Sequence, residues 1–186
     1  MERSDSIKGD KGSIDQFDAK QKGKKLASSF LAGDINLADE IKAMPPEQQG
    51  SLKQGIFDVL ISMISLPVTE EDEKRIGVIG KGMQLVISGS EFSSLYKQLS
   101  AALSQYLKEA VQYEEAIRRQ YAPKLRQKEE ELSRRIGREV RIDPFQDPEF
   151  VAFYNQNMGV LKNNYQTAID QGKEEIRRLF EKDRPA

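Results

Sequence analysis

The sequence predicts an all-α protein built around a long antiparallel coiled-coil helical hairpin, and three observations carry that expectation. Apolar residues from Phe92 to Ile117 recur in alternating steps of four and three, the heptad spacing that lays one helix along another. A second periodic run, Phe150 to Phe180, follows a connector with two Asp-Pro turns. The composition, 32% charged and 38% hydrophobic, suits long solvated helices sharing a narrow seam. At 186 residues the chain has room for one domain with an extension.

Residues 1–24 are rich in Lys, Asp, Ser, Gly and Gln, with Ile7, Ile14 and Phe17 as the sizeable apolar side chains. So little apolar surface does not offset the entropy of ordering, and the segment reads as a mobile arm. Ile14 and Phe17 would anchor it on binding. The helical domain then spans 25–186, with a short-helix base over 25–89 and the hairpin over 90–186. In the base, KKLASSFLA reads as a short helix stopped by Gly33. Asp34 or Asn36 caps a second, LADEIKAM, which ends at Pro45 and Pro46. Residues 47–66 present Leu52, Ile56, Val59, Leu60, Met63, Ile64 and Leu66 on one wide face before Pro67. Thr69, followed by four acids, has the form of a capping residue and a dipole-favoured first turn. The helix it starts carries Ile76, Ile79 and Met83 but also glycines at 77, 80 and 82, so MQLVIS has a short strand as its alternative. Leu60, Met63, Ile64, Ile79 and Met83 are expected to cover Phe92, Leu95, Tyr96 and Leu99.

Ser90 opens the first hairpin helix, about 91–136, and Asp147-Pro148-Glu149 reads as cap, first-turn proline and first-turn acid of the second, about 148–181. At 1.5 Å per residue these reach about 69 and 51 Å. The seam stutters through Tyr121 and Leu125 around Pro123, where a kink is expected, then resumes at Leu132 and Ile136 until Gly137 caps the helix. With Asp143-Pro144 at the apex, the numbers of facing residues should sum to about 286. Ile136 then meets Phe150, Leu125 meets Leu161, Tyr121 meets Tyr165, and Ala110 meets Ile176.

The residue types restrict the chemistry. With no cysteine there is no disulfide, thiolate nucleophile or Cys-ligated metal, and with no histidine the commonest general base and metal ligand is gone. A helical di-iron site built on Glu-x-x-His pairs is excluded on the same ground. VIGKGMQLVI, residues 78–87, resembles the loop of the KH RNA-binding fold in Gly80, Lys81 and Gly82. It departs from that loop at Met83, which stands at the closing glycine, and the flanking chain predicts no three-stranded sheet; close helix packing is the plainer reading. Nor does it fit a phosphate loop, since no glycine lies five positions before Gly80. Ser94 and Lys97 have dyad spacing but fall on the heptad helix. Asp143, Asp147 and Glu149 could meet a hard cation, but their spacing matches no calcium loop, and Asp147 and Glu149 read more simply as the cap and first-turn acid of the next helix. No catalytic residue, cofactor or metal is expected.

Net charge is −1, so bulk charge selects neither nucleic acid nor membrane. Locally, residues 118–141 hold nine basic residues against four acids, Glu129, Glu130, Glu131 and Glu139. Arg126, Arg134, Arg135, Arg138 and Arg141 are the candidate interaction tip. Pairs such as Glu131 with Arg135 and Glu130 with Arg134 would make part of it an ordinary solvated face. Tyr113 and Tyr121 lie on the seam, which favours packing over base stacking. The opening MERSDSIKGDKG carries no apolar stretch and the run Gly55–Val68 is too short to span a bilayer, so a cytoplasmic protein is expected. The functional expectation is a non-enzymatic helical interaction protein, an adaptor, scaffold or chaperone-like holder, with protein partners and a possible homodimer. The alternative is a nucleic-acid-associated protein using the basic tip.

Overall fold

A computed structural model describes the backbone of residues 3–183 and the side chains of residues 12–183. The protein is all-α: α1 (Arg3–Leu31), α2 (Leu37–Ala43), α3 (Pro46–Ser62), α4 (Glu70–Gln84), α5 (Ser90–Ile136) and α6 (Pro148–Lys182), with a 3-10 turn at Pro144–Gln146. Among the described residues there is no strand, which settles MQLVIS as the end of α4 and the turn after it.

The mobile-arm expectation fails over residues 12–24. They belong to α1, which is continuous with the segment read as a separate short helix from Lys25. Ala19 and Ala27 are buried, while Ile14 and Phe17 stay exposed, so small residues and not large ones hold the helix down. The reason is close backbone contact. A Cβ added at Gly23 would lie 2.1 Å from the Leu52 carbonyl oxygen, and one at Gly55 would lie 2.0 Å from that of Lys20. Two helices that meet at glycine bury main-chain surface, which a count of apolar side chains does not register. Gln16 adds polar contacts, donating from Nε2 to the Glu47 carbonyl at 3.0 Å and accepting from the Ser51 hydroxyl. The side chains of residues 1–11, Ile7 among them, lie outside the described residues.

Local signals place the other helix ends. Asn36, rather than Asp34, caps α2 by accepting from the Asp39 N–H. Thr69 and Asp72 form a reciprocal capping box at α4. The Val68 and Thr69 N–H groups hold the Asp72 carboxyl below its usual range. α3 stops at Ser62, short of Pro67, and Met63 is partly exposed instead of packed. The glycines of α4 are used for packing: a Cβ at Gly80 would enter the Tyr96 ring, and one at Gly82 would meet Phe30 and Leu60. The tyrosine hydroxyl donates to the Ile76 carbonyl, and burial pushes its pKa upward. Leu60, Ile64, Ile79, Met83, Phe92, Tyr96 and Leu99 share one buried cluster as expected, joined by Ile169, Ile176 and Phe180 of α6.

α5 and α6 run antiparallel, but in a different register from the one expected. Tyr106 packs on Tyr165, Tyr121 on Phe150, and Leu99 against Gly172; in each pair the residue numbers add up to 271, not 286. The shift of 15 is close to two heptads, so sliding one helix by that amount returns apolar residues to apolar positions. The connector explains its direction. Asp143-Pro144 is no apex: the chain turns at Gly137, in left-handed conformation with φ 80°, and runs back along the last turns of α5. Phe145 reaches Phe150 and Tyr154, and Arg118 lies over its ring at 5.1 Å. Mostly extended chain covers about twice the length per residue that a helix does, so a short connector returns past many helical residues. α5 continues through Pro123, and Ile136 is exposed.

Candidate interaction surface at the end of the hairpin

The buried residues fall into two clusters whose boundary locates the surface. Up to Leu103, α5 packs with the base and with the C-terminal half of α6 in one cluster. From Tyr106 onward it packs with α6, and among the described residues Leu66, in the loop between α3 and α4, is the base residue that reaches this second cluster. Residues 106–136 of α5, about 45 Å long at 1.5 Å per residue, therefore project as an arm that is paired with α6 up to about residue 123 and flanked by the connector beyond it.

Where α6 begins, five side chains lock it to α5. Asp147 caps α6 through the Glu149 N–H and is buried, which an unpaired carboxylate would not tolerate. It accepts from the Tyr121 hydroxyl at 2.6 Å and from Lys128 Nζ at 2.9 Å. Lys128 also reaches Glu149 at 2.6 Å, and Lys124 pairs with the same carboxylate. Burial works to raise the Asp147 pKa, but the hydrogen bonds from Tyr121, Lys128 and the Glu149 N–H outweigh it and leave it lowered. Lys124 and Lys128 lower that of Glu149, and the Glu149 and Asp147 carboxylates raise that of Lys128. Burial, then the bond to Asp147, raises that of Tyr121. Asp143 caps the 3-10 turn through the Phe145 N–H. Each of the three acids considered for a cation is thus engaged within the chain.

Beyond this lock, α5 overshoots the start of α6 and is flanked by the returning segment, pinned where the Val140 N–H donates to Ser133 Oγ at 3.0 Å. Between them lies a shallow groove lined by Arg126, Arg134 and Arg141 and by Glu129, Glu130 and Glu139. All five arginines of the candidate tip are exposed. Arg135 pairs with Glu131 at 2.8 Å and Arg141 with Glu139 at 3.7 Å. Arg126, Arg134 and Arg138 have no hydrogen bond or ion pair among the described residues, so the Glu130–Arg134 pair does not form. Tyr121 packs in the seam, whereas Tyr113 is 44% exposed. Ser94 and Lys97 are exposed on α5 within the base. Sequence reasoning missed Lys124 and Lys128: their partners lie 19 to 25 residues on, and only the correct register brings them together.

Among the described residues no helix is long and apolar enough to cross a membrane. Residues 38–178, which hold most of the base and the whole hairpin tip, match the model of a protein family. No curated protein and no solved structure matches the chain.

Proposed function

We propose a non-enzymatic role for this chain, which belongs to the family of unknown function DUF6657: it is a helical interaction protein, an adaptor or scaffold, that presents the end of its hairpin to a protein partner. One observation carries the reading. The groove at the end of the arm sets three arginines beside three glutamates, and arginines at 126, 134 and 138 have no internal partner. Exposed guanidinium groups that are not tied up within the fold are available for bidentate contacts to carboxylates. The interleaved glutamates disfavour a polyphosphate backbone, which they would repel, and favour a polypeptide carrying both signs of charge.

The test is capture from the native host with the full chain and with the Arg126→Glu/Arg134→Glu/Arg138→Glu variant, followed by mass spectrometry. A protein retained by the first and lost by the second supports the reading. Partners held equally by both would refute the tip as the surface. Binding of DNA or RNA that weakens steeply with salt would replace this reading with the nucleic-acid one.

A further inference from the structure

One flank of the arm is unusual for a chain that is 32% charged. Residues 150–169, the first turns of α6, contain a single charge, Lys162. A step of two residues turns a helix by about 200°, so Lys162 lies on the far side of α6 from Val160, which is 60% exposed. On α5, Gln112, Tyr113, Ala116 and Gln120 border one cleft with Asn157 of α6. A second cleft, lined by Gln120, Lys124, Glu149 and Phe153, continues it through the shared Gln120. The result is a groove without charge along its length that ends, at its outer end, in the Lys124–Glu149 ion pair. At its inner end the same face of α5 carries Glu109, because 109, 113, 116, 120 and 124 follow the helical step of three and four.

We propose that a second copy of this chain occupies this groove, the two arms lying antiparallel about a two-fold axis at Ala116. The proposal rests on the reading of the hairpin as an interaction arm and supplies a partner for its flank. A two-fold contact sets a patch against itself, so a charged patch repels itself and an uncharged one does not. Glu109 and Lys124 lie seven and eight residues either side of Ala116, which brings the acid of one copy to the base of the other. Tyr113 then meets Gln120, and alanine on the axis permits close approach. Both charged groups already have internal contacts: Glu109 accepts from Gln105 at 3.2 Å and interacts with the Tyr165 hydroxyl, and Lys124 pairs with Glu149. The Lys124 side chain is 52% exposed and Glu109 is partly exposed. The flank is about 22 Å long and about 20 Å across, some 450 Å² per copy, below the roughly 800 Å² of a standard interface. A contact of that size is that of a weak, transient dimer.

Sedimentation equilibrium of the full chain over a concentration series tests this. The weight-average mass should rise towards twice the 21.1 kDa of the chain. Glu109→Lys alone and Lys124→Glu alone should each hold it at one chain, and the double reversal should restore the rise, with circular dichroism confirming that each variant is folded. Ala116→Cys should form disulfide-linked dimers on oxidation. Val111→Cys, exposed but about 140° around the helix, should not. A monomer at every concentration, a double reversal that restores nothing, or equal crosslinking at 111 and 116 would overturn the proposal. Tip-dependent capture of another protein would survive that result, so the two readings fail separately.

Discussion

Adding one methyl group at Gly55 probes the contact of α1 with α3. The new Cβ would sit 2.0 Å from the Lys20 carbonyl oxygen and 3.0 Å from the Lys24 nitrogen, where ordinary contact begins at 3.4 Å. The obstruction is backbone and cannot rotate away, so the helices must part by about 1.4 Å along that line. A gap of about 0.5–1 Å already forfeits a quarter to a half of each dispersion contact. Overpacking of this kind costs about 1–3 kcal/mol or more, against a gain of about 1 kcal/mol from the better helix propensity of alanine. Because backbone is the obstacle, the net loss should fall near the upper end, about 2 kcal/mol, or about 4–8 °C in melting temperature for a chain of this size. Gly77→Ala in α4 is the control, since a Cβ there meets nothing within 4 Å. It should gain about 0.5–1 kcal/mol. Thermal and urea unfolding followed by helix ellipticity suits a protein without tryptophan. If Gly55→Ala proves as stable as Gly77→Ala, α1 is not packed on α3 as described.

Leu60→Ala, at a fully buried position of the base, should cost about 2–5 kcal/mol, and a loss under about 1 kcal/mol would contradict its burial. Asp147→Asn keeps a capping side chain but removes the charge. The lowered pKa of Asp147 means its contribution is present above the usual carboxylate range and lost as pH falls through the lowered value. Melts between about pH 5 and pH 2 should therefore show a shallower acid loss in the variant, and identical profiles would remove the lock from the account. For the register, cysteines at 106 and 165 should be bridged within one chain by a short bismaleimide. Cysteines at 121 and 165, separated by about 22 Å along the axis, should not.

Features set by neighbouring residues were legible in the sequence. Thr69, Gly137 and Asp147-Pro148 each mark a boundary through a cap or a turn made within a few residues, and each boundary stands where it was expected. Features set by a distant partner were not. The burial of α1 depends on Gly23 meeting Leu52, and neither residue alone announces it. Ala19, Gly23 and Ala27, spaced by four, were the available signal: a stripe of small residues along one helix face. The register failed for a different reason. Heptad patterns repeat, so they state that two helices pair without stating where, and the connector had to be known as extended chain before the pairing could be counted. With the register went the lock, since Tyr121 and Asp147 are 26 positions apart.

An arm of about 45 Å joined to its base through one cluster boundary also has a mechanical meaning. The seam with α6 and the lock stiffen the arm up to about residue 128, so any swing of the arm as a whole would fall where α5 and α6 leave the base, near Leu66. A rotation of about 10° there would sweep the groove arginines through roughly 8 Å, given the helical rise. Substitutions at the root of the arm would then alter where the tip can reach without touching any residue at the tip.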